Sequence, residues 1–229
     1  MRVLLIEDDT GLAQALAEHL GARGHAVDCA GTLAAGWACL TAEPFDLLLL
    51  DLGLPDGDGL SLLRRLRAAR STAQALPERE LPVLVMTARD DVASRIAALD
   101  EGADDHVGKP FDPDELAARM RALRRRSAGR ADPRLQCGAL SIDPSTRQVT
   151  RQGQAVALSG REFALLLALA EQRPQLLSRA QLQARLYAFE QGPDSNTIEV
   201  HIHHLRRKLG EDVIRTVRGV GYHMPADPA

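Results

Sequence analysis

Residues Phe45–Asp46–Leu47–Leu48–Leu49–Leu50–Asp51, running on into Leu52–Gly53–Leu54–Pro55, decide the fold. Four consecutive leucines leave no polar face, so this strand is apolar on both sides and buried on both. Such a strand belongs in the middle of a parallel sheet covered by helices. A carboxylate at its C-terminal end then lies in the crevice where these sheets bind ligands, which makes Asp51 the first candidate for chemistry.

Outward from that strand, short apolar runs alternate with helical stretches. Val3–Ile6 precedes Thr10–Arg23, Ala26–Ala30 precedes Thr32–Thr41, and Asp46–Leu50 precedes Leu60–Arg70. Val83–Met86 then leads to a helix near Asp90–Glu101, and Asp105–Val107 to one near Pro113–Arg126. Parallel neighbours need helical crossovers, so five such units predict a doubly wound five-stranded parallel sheet, α/β and flavodoxin-like, over residues 1–126. Between Arg70 and Leu81 a polar stretch with Pro77 reads as a surface loop.

The strand ends collect Glu7 and Asp8 on the first strand, Asp51 on the third, Thr87 on the fourth and Lys109 after the fifth. The first and third strands can be neighbours at the topological switch, where three carboxylates would converge and repel. Acidic oxygens with no basic partner on the same strand ends suit a hard dication. Mg²⁺ needs few protein ligands, here Glu7, Asp8, Asp51 and the backbone carbonyl of Gly53. Singly, an Asp at a strand end usually caps a turn and a Lys–Pro pair means nothing; the set together outweighs those readings.

At 229 residues the chain is long enough for two domains, each with its own core. It has no apolar run of membrane-spanning length and no charged-then-apolar leader, so a cytoplasmic location is expected. Cys29, Cys39 and Cys137 lack metal-ligand spacing and read as reduced packing residues. The net charge of −3 divides into −6 for residues 1–126 (15 basic, 21 acidic) and +3 for residues 127–229 (13 basic, 10 acidic). A basic rear half points to nucleic acid.

Residues 127–133, small and polar, form a linker to a second domain over 134–225. Ala139–Ile142, Arg147–Arg151 and Ala155–Leu158 read as antiparallel strands joined by turns at Asp143–Pro144 and Gln152–Gly153. Ser159 with Glu162, and Ser178 with Gln181, have capping-box spacing ahead of helices at Phe163–Ala170 and Leu182–Tyr187. A third helix starts near Ser195–Asn196 and stops at Gly210. Ile198, Ile202, Leu205 and Leu209 form its buried stripe; Thr197, His201, His204 and Lys208 lie on another, beside His203, Arg206 and Arg207, and would face a DNA major groove. His201 and His204 at i, i+3 could instead bind a metal, but no carboxylate or cysteine stands on that stripe. Val213–Tyr222 is an alternating strand, glycine turn and return strand, a hairpin wing.

Glu7–Asp8, Asp51, Thr87–Ala88 and Lys109–Pro110 resemble the receiver (CheY-like) domain of two-component response regulators. The order of strands, three helices and wing resembles the C-terminal winged helix-turn-helix of the OmpR/PhoB family. The stretches His201–Lys208 and Asp51–Asp56 are similar to its QseB/PmrA-like subgroup. The resemblance implies a transcriptional regulator, not an enzyme, in which Asp51 accepts a phosphoryl group from a sensor histidine kinase. Lys109, the Thr87 hydroxyl and the backbone amides of Gly53 and Ala88 would hold the product, with Asp9 solvated. It implies a switch through Thr87 and an aromatic on the fifth strand, where this chain has His106. A homodimer of phosphorylated receivers is implied through Arg95, Ile96, Leu99, Asp100, Asp105, Glu115, Ala117, Arg119 and Arg121. Their charges oppose as Arg95 with Glu115, Asp105 with Arg119, and Asp100 with Arg121. Double-stranded promoter DNA would meet Asn196, Thr197, His201, His203, His204, Arg206 and Arg207 on the helix and Thr216 and Arg218 on the wing, with RNA polymerase a further partner. The competing reading is an aspartate-nucleophile phosphohydrolase, but the second acid of a D-x-D pattern is replaced by Gly53.

Overall fold

The computed structural model describes residues 1–69, 77, 79–88, 92–127, 134–144, 146–186 and 197–226. It divides into two compact units, one built chiefly from Arg2–Gly129 and one chiefly from Arg130–Ala229. The sequence expectations for the 127–133 linker beyond Ser127, and for Arg70, Asp90, Tyr187, Ser195 and Asn196, lie outside the described residues.

In the first unit β1 (Arg2–Ile6), α1 (Thr10–Ala22), β2 (Ala26–Ala30), α2 (Leu33–Ala42) and β3 (Leu47–Asp51) are followed by a small hairpin of β4 (Gly53–Leu54) and β5 (Gly57–Asp58). Then come α3 (Gly59–Arg67), β6 (Val83–Thr87), α4 (Val92–Asp100), β7 (Asp105–Gly108) and α5 (Pro113–Ser127). The five long strands form the expected parallel sheet in the order β2-β1-β3-β6-β7. Every residue of β1, β3 and β6 is buried, because helices cover both faces and leave the apolar runs no solvent side. Arg2 is buried too, paired with Asp28 at 2.9 Å and Glu43 at 3.1 Å, which satisfies its charge.

The chain steps from β1 out to β2 and returns to β3, so the winding reverses between β1 and β3. Ile6 is the register partner of Leu50, and Glu7 and Asp51 therefore leave the sheet side by side. The following turn is tight: a Cβ on Gly59 would stand 2.5 Å from the Asp51 carbonyl oxygen, so only glycine fits. Side chains cap the helices around this end. Asp9, read from the sequence as solvated, accepts from the amides of Gly11 (2.9 Å) and Leu12 (3.0 Å) and caps α1. Asp56, at the hairpin tip, accepts from Leu33 (2.8 Å) and Ala34 (3.0 Å) and ties the hairpin to the start of α2.

The second unit opens with β8 (Leu135–Cys137), β9 (Leu140–Asp143), β10 (Gln148–Arg151) and β11 (Gln154–Ala155), an antiparallel sheet in the order β11-β10-β9-β8. The strand expected at 155–158 is thus only its first residue and the one before it, and β8 is additional. Next come α6 (Gly160–Glu171), β12 (Leu177–Ser178), α7 (Arg179–Leu186), α8 (Thr197–Leu209), β13 (Arg215–Val217) and β14 (Gly221–His223). β13 and β14 form the wing, and β14 also pairs with β12. Both capping boxes form: Ser159 and Glu162 exchange bonds at α6, and Ser178 and Gln181 do so at α7. Ile198, Ile202, Leu205 and Leu209 of α8 are buried against Phe163, Leu166 and Leu169 of α6.

Candidate functional site

One ligand atom each from Glu7, Asp8 and Asp51 lies within 4.8 Å of the others, the only such group of three metal-ligating side chains among the described residues. Glu7 is 3% exposed and Asp51 7%, whereas Asp8 opens to solvent. The expectation of acids without a basic partner needs correction. Lys109, just beyond β7, reaches back so that Nζ stands 2.6 Å from Glu7 Oε2 and 2.7 Å from Asp51 Oδ2. Three carboxylates and one ammonium still leave two formal negative charges, a fit for one dication with oxygen ligands.

Burial pushes the Glu7 carboxyl above the usual carboxylate range; Lys109 pulls it back in part and Asp51 pushes it further. Burial alone would lower Lys109, but its hydrogen bonds to Asp51 and Glu7 outweigh that and raise it, so it remains an ammonium. Asp51 Oδ1 accepts from the Gly53 amide at 3.2 Å, which orients the carboxylate against the hairpin. Thr87 is buried at the end of β6, and its carbonyl accepts from the Lys109 amide at 2.8 Å, joining the two strand ends that flank the pocket. His106 is half-buried on β7.

On α4, Val92, Ile96 and Leu99 are exposed at i, i+4 and i+7, and Ile96 keeps 52% of its surface. The i, i+4 spacing of Val92 to Ile96 is the sequence signal that extends this exposed face to Val92. Ala117, expected beside Ile96 and Leu99, is buried inside α5 and is not part of this surface. Arg119 pairs within the chain, with Asp105 at 3.2 Å and Glu115 at 2.8 Å. Arg95 and Asp100 are exposed, and Arg121 is half-buried.

The α8 surface also differs from the expected stripe. Lys208 Nζ donates to Glu162 Oε2 (2.7 Å) and the Ala157 carbonyl (3.1 Å), and His204 Nδ1 lies 3.5 Å from Glu162 Oε1. A carboxylate does therefore stand near the histidines, supplied by α6. His201 has both ring nitrogens buried, and burial lowers its pKa, so it does not present a charged outward face. Arg206 bends back to the wing. The exposed line on α8 is Val200, His203 and Arg207, with exposed Arg215, Thr216, Val217 and Arg218 on β13 and the wing tip. In sequence, an exposed valine such as Val200 is indistinguishable from a core one.

A carboxylate trio at the switch point of a five-stranded parallel sheet, joined to three helices and a wing, defines a receiver with a winged-helix output. The family described as response regulator receiver domain matches residues 3–121, and that described as transcriptional regulatory protein, C terminal, matches residues 153–224. The response regulator protein PmrA of Pseudomonas aeruginosa is 52% identical over 222 residues, covering 97% of each chain. The transcriptional regulatory protein BasR of Escherichia coli K12 is 42% identical over 227 residues, covering 99% of each. A solved CheY-like receiver domain protein from Methanospirillum hungatei matches with a TM-score of 0.51 and 26% identity, over 56% of this chain and 96% of its own. The chain belongs to the OmpR/PhoB-type response regulators of two-component systems. It is a DNA-binding transcriptional regulator rather than an enzyme, with a kinase as phosphodonor and DNA as target. Receiver domains bind Mg²⁺ through acidic residues, and this chain carries such a cluster.

Proposed function

We propose that Asp51 is the phosphoacceptor and that its phosphorylation, with Mg²⁺ held by Glu7, Asp8, Asp51 and the Gly53 carbonyl, drives receiver dimerisation and promoter binding. The observation that carries this reading is the Asp51 carboxylate held between the Gly53 amide and Lys109, beside Glu7 and Asp8. A carboxylate oxygen of Asp51 attacks the phosphorus of a kinase phosphohistidine; the P–O bond forms as the P–N bond breaks, and the imidazole leaves with the bonding pair. Bound Mg²⁺ supplies charge neutralisation on the transferring oxygens. Lys109 is released from part of its pairing with Asp51 and holds the new phosphoryl oxygens together with the Thr87 hydroxyl and backbone amides.

The switch runs from Thr87 to His106 on the neighbouring strand. The exposed Val92–Ile96–Leu99 face of α4 supplies the dimer contact, with Arg95, Asp100, Asp105, Glu115, Arg119 and Arg121 fixing register at its rim. On DNA, Asn196, Thr197, His203, His204 and Arg207 serve the helix, and Arg218 with Thr216 serves the wing. Residues 127–133 act as the linker, RNA polymerase is the downstream partner, and the location is cytoplasmic; in support of the last, no helix among the described residues is long and apolar enough to cross a membrane. The test is incubation with Mg²⁺ and a small phosphodonor. Stoichiometric, base-labile labelling that is lost in Asp51→Ala supports the proposal, and labelling that survives this substitution rejects it.

A further inference from the structure

Arg206 and Arg207 adjoin on α8 with the same chemistry and different surroundings. Arg207 is exposed, whereas the Arg206 side chain keeps only 22% of its surface and folds back onto the wing. Its Nε and Nη2 donate to the Ile214 carbonyl at 3.0 and 2.7 Å, and Nη2 also donates to Thr216 Oγ1 at 2.7 Å. The Glu211 carboxylate lies 3.9 Å from Nε. Thr216 is the cross-strand partner of Tyr222, whose ring packs against the domain core.

We infer that Arg206 is a positioning residue that sets the wing against α8, leaving phosphate contact on that turn of the helix to Arg207. The wing is two strands of three residues; β14 is held by β12 and by Tyr222 on the core, but Arg215 to Val220 are all exposed, so little burial orders the β13 side and the tip. A hairpin of this size is marginal without support. A guanidinium's planar fork bridges a carbonyl and a hydroxyl at fixed geometry, which an ammonium does not reproduce. Helix and wing must meet one duplex together, and fixing their angle beforehand removes part of the ordering loss on binding. Accepting from Arg206 also leaves the Thr216 hydroxyl proton to be donated outward, so one interaction orients a second donor.

The test compares full-length Arg206→Lys, Thr216→Val, their double variant and Arg207→Lys. The DNA probe is a duplex recovered by in vitro selection with the unsubstituted chain. Arg206→Lys and Thr216→Val should each bind about tenfold more weakly, the double variant no more weakly than either, and the salt slope of Arg206→Lys should match the parent. Arg207→Lys keeps the contacting charge and should stay within about threefold of the parent. In the DNA-free protein, amide hydrogen exchange should quicken over Arg215–His223 in Arg206→Lys and Thr216→Val while α6 stays protected. A role confined to phosphate contact leaves that exchange unchanged. Parental affinity and parental wing exchange in Arg206→Lys would overturn the inference, as would losses that multiply in the double variant. If Arg206→Lys does not fold, the exposed Thr216→Val decides through exchange alone: unaltered wing protection there rejects the positioning role.

Discussion

Glu7 carries two opposed demands, since burial favours its neutral form and a dication needs its charge. Its raised pKa has a definite sign in the metal-free protein: the stabilising contribution is fullest in acid, below its ordinary value of 4.5, and is lost as pH rises through the raised value. At the proposed site Mg²⁺ would bind the ionised form and offset that loss, so the Mg²⁺-induced rise in melting temperature should be small in acid and grow across the same window. Thermal melts with and without millimolar Mg²⁺ at several pH values measure it, and Glu7→Gln should flatten the trend. A shift independent of pH in the parent contradicts Glu7 as a ligand. Glu162 shows the opposite sign. Burial would raise its carboxyl, but Lys208 and the Ser159 amide outweigh burial and lower it. Its contribution is therefore present above the ordinary carboxylate value and lost as pH falls through the lowered one. Glu162→Ala removes a capping-box acceptor and a charge partner of Lys208, and should destabilise the C-terminal unit by about 2 kcal/mol near neutral pH, read from urea midpoints.

At the scale of elements, α4 is held mainly at one end. Ala98 is its one fully buried residue, while just beyond its C-terminus Arg64 pairs with Glu101 at 2.7 Å and Arg67 donates to the Gly102 carbonyl and Asp104 at 2.9 Å each. An element so thinly packed leaves its apolar stripe exposed, where the proposed dimer contact would cover it. Ile96→Asp should keep the phosphorylated protein monomeric in sedimentation at micromolar concentration, while labelling of Asp51 still proceeds; dimer formation by this variant removes α4 from the interface. The contrast between α4 and β3 also explains what the sequence could disclose. Four leucines in β3 leave one reading, and Glu7 and Asp51 follow from it by register. The hairpin β4–β5 and strands β8 and β12 have two or three residues each, too short for periodicity to separate them from loops. Lys109 between Glu7 and Asp51, and Glu162 opposite His204, join residues far apart in the chain. A helical wheel of α8 therefore divides its faces correctly for Ile198, Ile202, Leu205 and Leu209 but turns His201 outward, because Arg161 and Glu162 beside it belong to α6.

At the scale of the molecule the acidic receiver and the basic effector divide the work. The C-terminal residues 127–229 carry a net charge of only +3, so one effector should hold a single half-site weakly, with a modest salt slope set by the few phosphates it contacts. In the proposed dimer, two effectors brought together would bind the second half-site intramolecularly, at an effective concentration set by the chain between the domains. The gain over single-site binding is on the order of 10² to 10⁴. Helix-turn-helix dimers read half-sites about one helical turn apart, so inserting roughly half a turn between them places the second site on the opposite face of the duplex. Phosphorylated parent protein should then show the full gain on the native spacing and lose most of it on the half-turn insertion. Asp51→Ala should bind both DNAs with the weak affinity of one effector. Titration of the two duplexes by fluorescence anisotropy at fixed salt measures all four values. Equal affinity of phosphorylated parent for both spacings separates dimerisation from DNA recognition, and leaves phosphorylation to act within a single chain.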